Sequence, residues 1–210
     1  MGGIGSQTTY GAYSASSGHF NGDFTDDEIK DIRLLTGGTI NSVSASEKMN
    51  KQLRKYGPYA LTQAGERIMK HLDSALDKYT VDKNTVLYRG GDASLLGGYS
   101  TLEDVQKLIG KTVQDNGFMS TSTVDGKFTH YPIYYKIQVP SGSHIGAPVA
   151  NISKHPDEHE FLLSRRPQFK VKSVVKSKES NGKLVVTIQY IGKGNTDIEK
   201  DYYKTWLDSQ

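Results

Sequence analysis

The spacing of apolar residues divides the chain into two parts with different periods. Between residues 25 and 79 apolar positions recur every three or four residues, the period of a helix that buries one face. Thr25 ahead of DDEIKDIRLL, with acids in the first turn, predicts a helix start, and Gly37-Gly38 predict its stop. Ser44 or Ser46 opens a second helix, SEKMNKQLRKYG, ended by Gly57-Pro58, and Ser44 and Glu47 stand at capping-box spacing. The longest helix is expected over LTQAGERIMKHLDSALDKY, where Leu61, Ile68, Met69, Leu72, Ala75 and Leu76 form a core-facing stripe.

From residue 85 the pattern changes to short runs. TVLYRG, TVQDNGFMSTS, YPIYYKIQV, HIGAPV, EFLLS, FKVKSVVK and LVVTIQYI are rich in β-branched and aromatic residues and are separated by Gly, Pro, Asn or Ser, as strands are. A short helix, TLEDVQKLIG, interrupts after the first of them. Helices first and strands afterwards imply an α+β domain rather than a parallel βαβ array. Residues 1–24 read as a flexible Gly/Ser-rich leader, 25–192 as one domain, and 193–210 as a C-terminal helix or tail.

Composition narrows the function. With 26 basic against 23 acidic residues, the formal charge of +3 does not mark a dedicated nucleic-acid binder. The chain has no cysteine, which excludes disulfides, thiol catalysis and thiolate metal sites. Its six histidines fall at no metal-ligand spacing, so no metal is expected. No apolar run approaches a membrane span, and the N-terminal stretch lacks the basic-then-apolar order of a signal peptide. Neither a Walker loop nor a dinucleotide fingerprint occurs.

Three pieces carry chemistry. Arg89 in LYRGG ends an apolar strand, where a guanidinium can fork onto a phosphate and the glycines, Gly90 first, admit a ligand to the backbone. In FMSTST, Ser120 and Ser122 share one face of a strand opposite Thr121, and hydroxyls in a buried strand require partners. In HPDEHEFLL, Glu158 and Glu160 would point to the same face of a strand and repel, with nothing to gain in stability.

Arginine on one strand, Ser-Thr-Ser on a second and Glu-x-Glu on a third resemble the R-S-E class of mono-ADP-ribosyltransferases, the bacterial exotoxin-like family. The order LYRGG, GFMSTST, EHEFLLSRRPQFKV matches it, MNKQLRKYG resembles its N-terminal helix, and HLDSALDKYTVDKNTVLYRG its long helix and arginine strand. The resemblance covers roughly residues 25 to 191. It implies N-terminal helices packed on a mixed, two-sheet β core of the ADP-ribosyltransferase type.

It also implies NAD as co-substrate, cleavage of the nicotinamide–ribose bond and transfer of ADP-ribose to a protein acceptor. Glu160 would stabilise the oxocarbenium-like ribose, Ser120 would hold Glu160, and Arg89 would grip the NAD phosphate. Gly90, Thr121 and Ser122 would shape the NAD pocket, and Phe128 in DGKFTHYP would stack on nicotinamide. Glutamate at Glu158 goes with arginine acceptors in the family, where glutamine goes with asparagine acceptors. NISKHPDE matches the acceptor-recognition loop, in which His155 and Pro156 would meet the acceptor, His155 standing where many arginine-specific members carry an aromatic residue. The implied setting is a toxin or effector delivered without a signal peptide and acting in the target-cell cytoplasm, with a cognate immunity or delivery protein as a further partner. Rival readings are NAD hydrolysis without an acceptor, a non-catalytic NAD- or protein-binding module, and a glycoside hydrolase. For the last, same-face glutamates about 6–7 Å apart have suitable spacing, but sugar-stacking tryptophans are wanting, Trp206 being alone.

Overall fold

Four α-helices occur among the described residues 8–40, 42–177 and 182–194 of this computed structural model, and each begins behind a hydroxyl side chain. Thr25 caps α1 (Asp26–Leu35), accepting from the Glu28 amide while the Glu28 carboxylate accepts from the Thr25 amide. Ser44 caps α2 (Ala45–Tyr56), Thr62 caps α3 (Gln63–Asp77) and Thr101 caps α4 (Leu102–Gln106), each accepting from the amide three residues on. On α3 the buried residues are Ile68, Met69, Leu72, Ala75 and Leu76, five of the six stripe positions. Leu61 precedes the helix and packs half-buried against the core.

The strands are β1 (Gly11–Ala12), β2 (Gly18–Phe20), β3 (Thr39–Ile40), β4 (Val43–Ser44), β5 (Tyr79–Val81), β6 (Thr85–Gly91) and β7 (Thr112–Gln114). They continue with β8 (Met119–Ser122), β9 (Ile133–Val139), β10 (Gly146–Pro148), β11 (Glu160–Leu163), β12 (Pro167–Lys176) and β13 (Leu184–Lys193). One mixed nine-stranded sheet runs β10-β11-β8-β6-β9-β13-β12-β7, with β1 beside β6; β2-β5 and β3-β4 form separate ribbons. Strands β9, β11 and β13 alternate or are wholly buried, so that Tyr135, Ile137, Phe161, Leu163, Val186 and Ile188 meet the helices in one core. No helix among the described residues is long and apolar enough to cross a membrane.

Two expectations are corrected. The segment read as a flexible leader is built into the fold from Gly11 onward: β1 pairs with β6 and β2 with β5. Its tyrosines supply the reason. The Tyr13 hydroxyl hydrogen-bonds that of Tyr79 at 2.8 Å and its ring meets Phe161 edge-on at 5.8 Å, while the Tyr10 hydroxyl accepts from Gln189. TVQDNGFMSTS is two strands, β7 and β8, in different halves of the sheet. The turn between them is tied to α2, because Asn50 Oδ1 accepts from the Phe118 amide and Arg54 forks onto Asp115. Most of the expected C-terminal helix or tail, from residue 195, lies outside the described residues; Lys193 ends β13.

Candidate active site

A break in strand pairing makes room for the site. All seven residues of β6 pair with β9, from Thr85↔Val139 to Gly91↔Ile133, yet β6 registers with β8 only at Tyr88↔Ser122. Past that pair the ladder is replaced by a side chain: Arg89 Nη1 donates to the Ser120 carbonyl at 2.6 Å. Burial draws the Arg89 pKa down and Asp115 pulls it up; a guanidinium stays cationic at any physiological pH.

Ser120 serves two neighbours, its carbonyl taking Arg89 and its hydroxyl bonding Glu160. Glu160 opens β11, whose antiparallel register against β8 sets Glu160 opposite Ser122 and Leu162 opposite Ser120. Glu160 as a residue is 4 % exposed, and its carboxylate also accepts from Ser153 Oγ at 3.2 Å. Among the described residues it has no ion pair with a lysine or arginine. Burial pushes its carboxyl above the ordinary range and Glu158 pushes the same way; the bonds from Ser120 and Ser153, and His155 nearby, pull it back.

Glu158 is not the strand mate of Glu160, which corrects the same-face reading. It ends a 3-10 turn, Pro156–Glu158, and His159 follows in the left-handed conformation (φ 51°, ψ 46°), so β11 starts only at Glu160. The turn is braced on β8: Ser122 Oγ donates to the Glu158 carbonyl at 2.9 Å, and the Thr123 amide to that of His159 at 3.0 Å. Glu158 and Glu160 nevertheless line one cleft of about 730 Å³ with Arg89, Ser120, Asn50 and Arg54. A recess of about 170 Å³ adjoins it, where Arg54, Arg89, Gly90, Phe128 and Tyr131 meet. Gly90 is required there, since a Cβ on it would lie 2.2 Å from the Phe128 carbonyl oxygen and 2.6 Å from the Tyr131 ring. A depression of the same 730 Å³ beside residues 140–144 brings together Asp77, His144, Tyr190 and Lys193 and has no comparable constellation among the described residues.

The family model for ADP-ribosyltransferase exoenzyme matches residues 13–193. The chain belongs to this family.

Two curated family relatives bracket it. The NAD(+)–arginine ADP-ribosyltransferase EFV of Enterococcus faecalis is 30 % identical over 164 residues, covering 72 % of this chain and 32 % of its own length. The mono-ADP-ribosyltransferase C3 of a Clostridium botulinum C phage is 27 % identical over 134 residues, 57 % of this chain and 54 % of its own. The chain thus spans about half and about a third of these relatives' lengths. In fold it is similar to Plx2a, an ADP-ribosyltransferase toxin from Paenibacillus larvae, with a TM-score of 0.68 and 24 % identity over 80 % of this chain and 88 % of that one.

Within this exoenzyme fold the expected site residues separate into three groups. Arg89, Gly90, Ser120, Phe128, Glu158 and Glu160 come together in the cleft and its recess. Thr121 and Ser122 do not face it: both are 0 % exposed and their hydroxyls donate to the Phe161 and Glu158 carbonyls. They fasten β11 and the turn before it, a correction to their assignment to NAD. His155 and Pro156 lie on the loop ahead of Glu158, outside the cleft lining. Residues missed from the sequence are Asn50, Arg54, Tyr131 and Ser153. For the first two a signal existed, because Asn50 and Arg54 are four apart on α2 and share a face.

Proposed function

We propose that this chain cleaves the nicotinamide–ribose bond of NAD and transfers ADP-ribose to an arginine side chain of a protein. One observation carries the reading: a buried carboxylate with no lysine or arginine partner among the described residues, held by hydroxyls at Ser120 and Ser153, beside a cleft that also presents two arginines. A dinucleotide brings a diphosphate and a ribose that becomes cationic as nicotinamide leaves, and the cleft offers a matching group for each. Arg89 and Arg54 suit the diphosphate, Arg89 held by Ser120 and Arg54 by Asp115. Glu160 suits the ribose, because a carboxylate starved of positive charge gains most when positive charge develops beside it.

In the proposed step the C1′–N bond breaks and nicotinamide leaves with the bonding electron pair. A guanidinium nitrogen of the acceptor then attacks C1′, and its proton passes to Glu158. Glu158 sits half-buried at the end of its turn, where it can orient a guanidinium from outside. The Enterococcus faecalis relative, an NAD(+)–arginine ADP-ribosyltransferase, supports that acceptor. A toxin or effector acting on a protein of a target cell is the biological reading, supported by the fold shared with the Paenibacillus larvae toxin.

The test is incubation with adenylate-labelled NAD and a protein lysate. Label on an arginine of a protein, located by mass spectrometry, with stoichiometric nicotinamide, is the expected result. Nicotinamide and free ADP-ribose without labelled protein would mean hydrolysis alone, and no nicotinamide at all would overturn the reading.

A further inference from the structure

Glu160 is bracketed from two directions, and the second bracket belongs to the loop that precedes Glu158. Ser120 reaches it from β8; Ser153 reaches it from the loop, donating from Oγ to Glu160 Oε2 at 3.2 Å. The same Oγ accepts from the His155 amide at 3.1 Å, so amide, hydroxyl and carboxylate form a short chain in which each bond polarises the next. The base of the loop is fixed, with the Ser153 amide on the Val149 carbonyl at 2.8 Å and the Val149 amide on the Glu160 carbonyl at 3.0 Å.

The far side of the loop rests on α1. A Cβ on Gly37, just past the end of that helix, would lie 2.9 Å from Lys154 Cβ and 3.1 Å from His155 Nε2. Gly37 is therefore bare because the Lys154–His155 pair is packed onto its backbone. His155 is the residue whose ring takes this seat and whose amide engages Ser153.

We infer that Ser153 is a positioning residue for Glu160, and that His155, seated on Gly37, sets Ser153 in place and so links the acceptor loop to the carboxylate. This rests on the reading of Glu160 given above. A loop displaced from Gly37 takes the Ser153 hydroxyl with it and leaves Glu160 on Ser120 alone.

The experiment compares wild type, Ser153→Ala, Ser153→Thr and Gly37→Ala by two readouts, carboxyl-carbon NMR titration of Glu160 and steady-state nicotinamide release. The other charged groups around Glu160, namely Glu158 and His155 on the loop, Arg89 and Asp92 at β6, and Glu47 and Arg54 on α2, are unchanged in all four proteins. In Ser153→Ala the Glu160 midpoint moves to higher pH, because a donor that lowers it is lost. With it kcat falls about tenfold, the scale of one hydrogen bond to a charged group, while KM for NAD stays within about twofold. Threonine restores both. Gly37→Ala shifts both readouts in the same direction as Ser153→Ala, and a fifth protein carrying Gly37→Ala and Ser153→Ala together loses no more than Ser153→Ala does. An unmoved Glu160 midpoint in Ser153→Ala overturns the inference, whether or not kcat changes. A wild type that releases no nicotinamide overturns the proposed function instead, and the titration still decides the role of Ser153.

Discussion

Glu28 and Glu160 are each 4 % exposed, yet their surroundings poise them in opposite directions. Glu28, in the first turn of α1, accepts from Lys78 at 2.6 Å, from Ser74 at 2.8 Å and from the Thr25 amide at 2.8 Å. Burial alone would raise its carboxyl, but the lysine, the amide and the hydroxyl outweigh burial and hold it below the ordinary range. Glu160 receives hydroxyls and no lysine or arginine among the described residues, and burial pushes it above that range. The lesson is that burial by itself does not tell a structural carboxylate from a reactive one. The partners do: α1 and α3 are stapled by a satisfied charge, whereas the cleft keeps an unsatisfied one for a cation that arrives with the substrate.

The comparison breaks first at Glu28. Removing its charge strands Lys78 against α1, a loss of about 3 kcal/mol, and at a chain of this size Tm should fall by roughly 6–12 °C. Nicotinamide release per folded Glu28→Gln molecule should match wild type. The pH sign follows from the depressed pKa. Its stabilisation is present above the ordinary carboxylate range and is lost as pH falls through the lowered folded pKa, so acid denaturation of Glu28→Gln should lack that component.

Inside the cleft, Glu158→Gln sharpens the division between the two glutamates. Transfer to protein should drop about a hundredfold, the contribution of a positioned base, with nicotinamide release kept within about threefold. Equal loss of both would merge their roles. Arg89→Lys should raise KM for NAD about tenfold with a smaller change in kcat, since an ammonium cannot fork onto a phosphate while also holding the Ser120 carbonyl. The mildest effect is on pH. Glu160 works ionised, so the acid limb of kcat/KM for nicotinamide release should lie above the ordinary glutamate pKa, the direction set by its burial.

Much of this was legible in the sequence where one element decides the outcome. The stripe on α3 and the Thr25 cap follow from local spacing, and the structure has both. Arg89, Ser120, Glu158 and Glu160 stood out because residues of that chemistry cluster within short strand motifs, and the fold brings all four to one cleft. What failed was period-two reasoning across a turn. His159 in the left-handed conformation separates Glu158 from β11, and no alternation of residues announces it. The resemblance gives Thr121 and Ser122 to the NAD pocket, while their burial says only that the hydroxyls need partners, and backbone carbonyls supply them. Arg54, Asn50 and Ser153 owe their positions to the turn at Asp115, the Phe118 amide and the loop on Gly37, all of which are tertiary contacts. The glycines and serines of the leader predict flexibility, but Tyr10 and Tyr13 hold it down.

The most direct test sets Glu160→Gln beside Glu28→Gln, with NAD binding measured by calorimetry and nicotinamide release measured on the same samples at a temperature where both are folded. Glu160→Gln should bind NAD and keep or gain thermal stability, while release falls about a thousandfold, the scale of removing a preorganised electrostatic partner. Glu28→Gln should release nicotinamide like wild type. Release by Glu160→Gln at the wild-type rate would contradict the assignment of this buried carboxylate to the ribose cation.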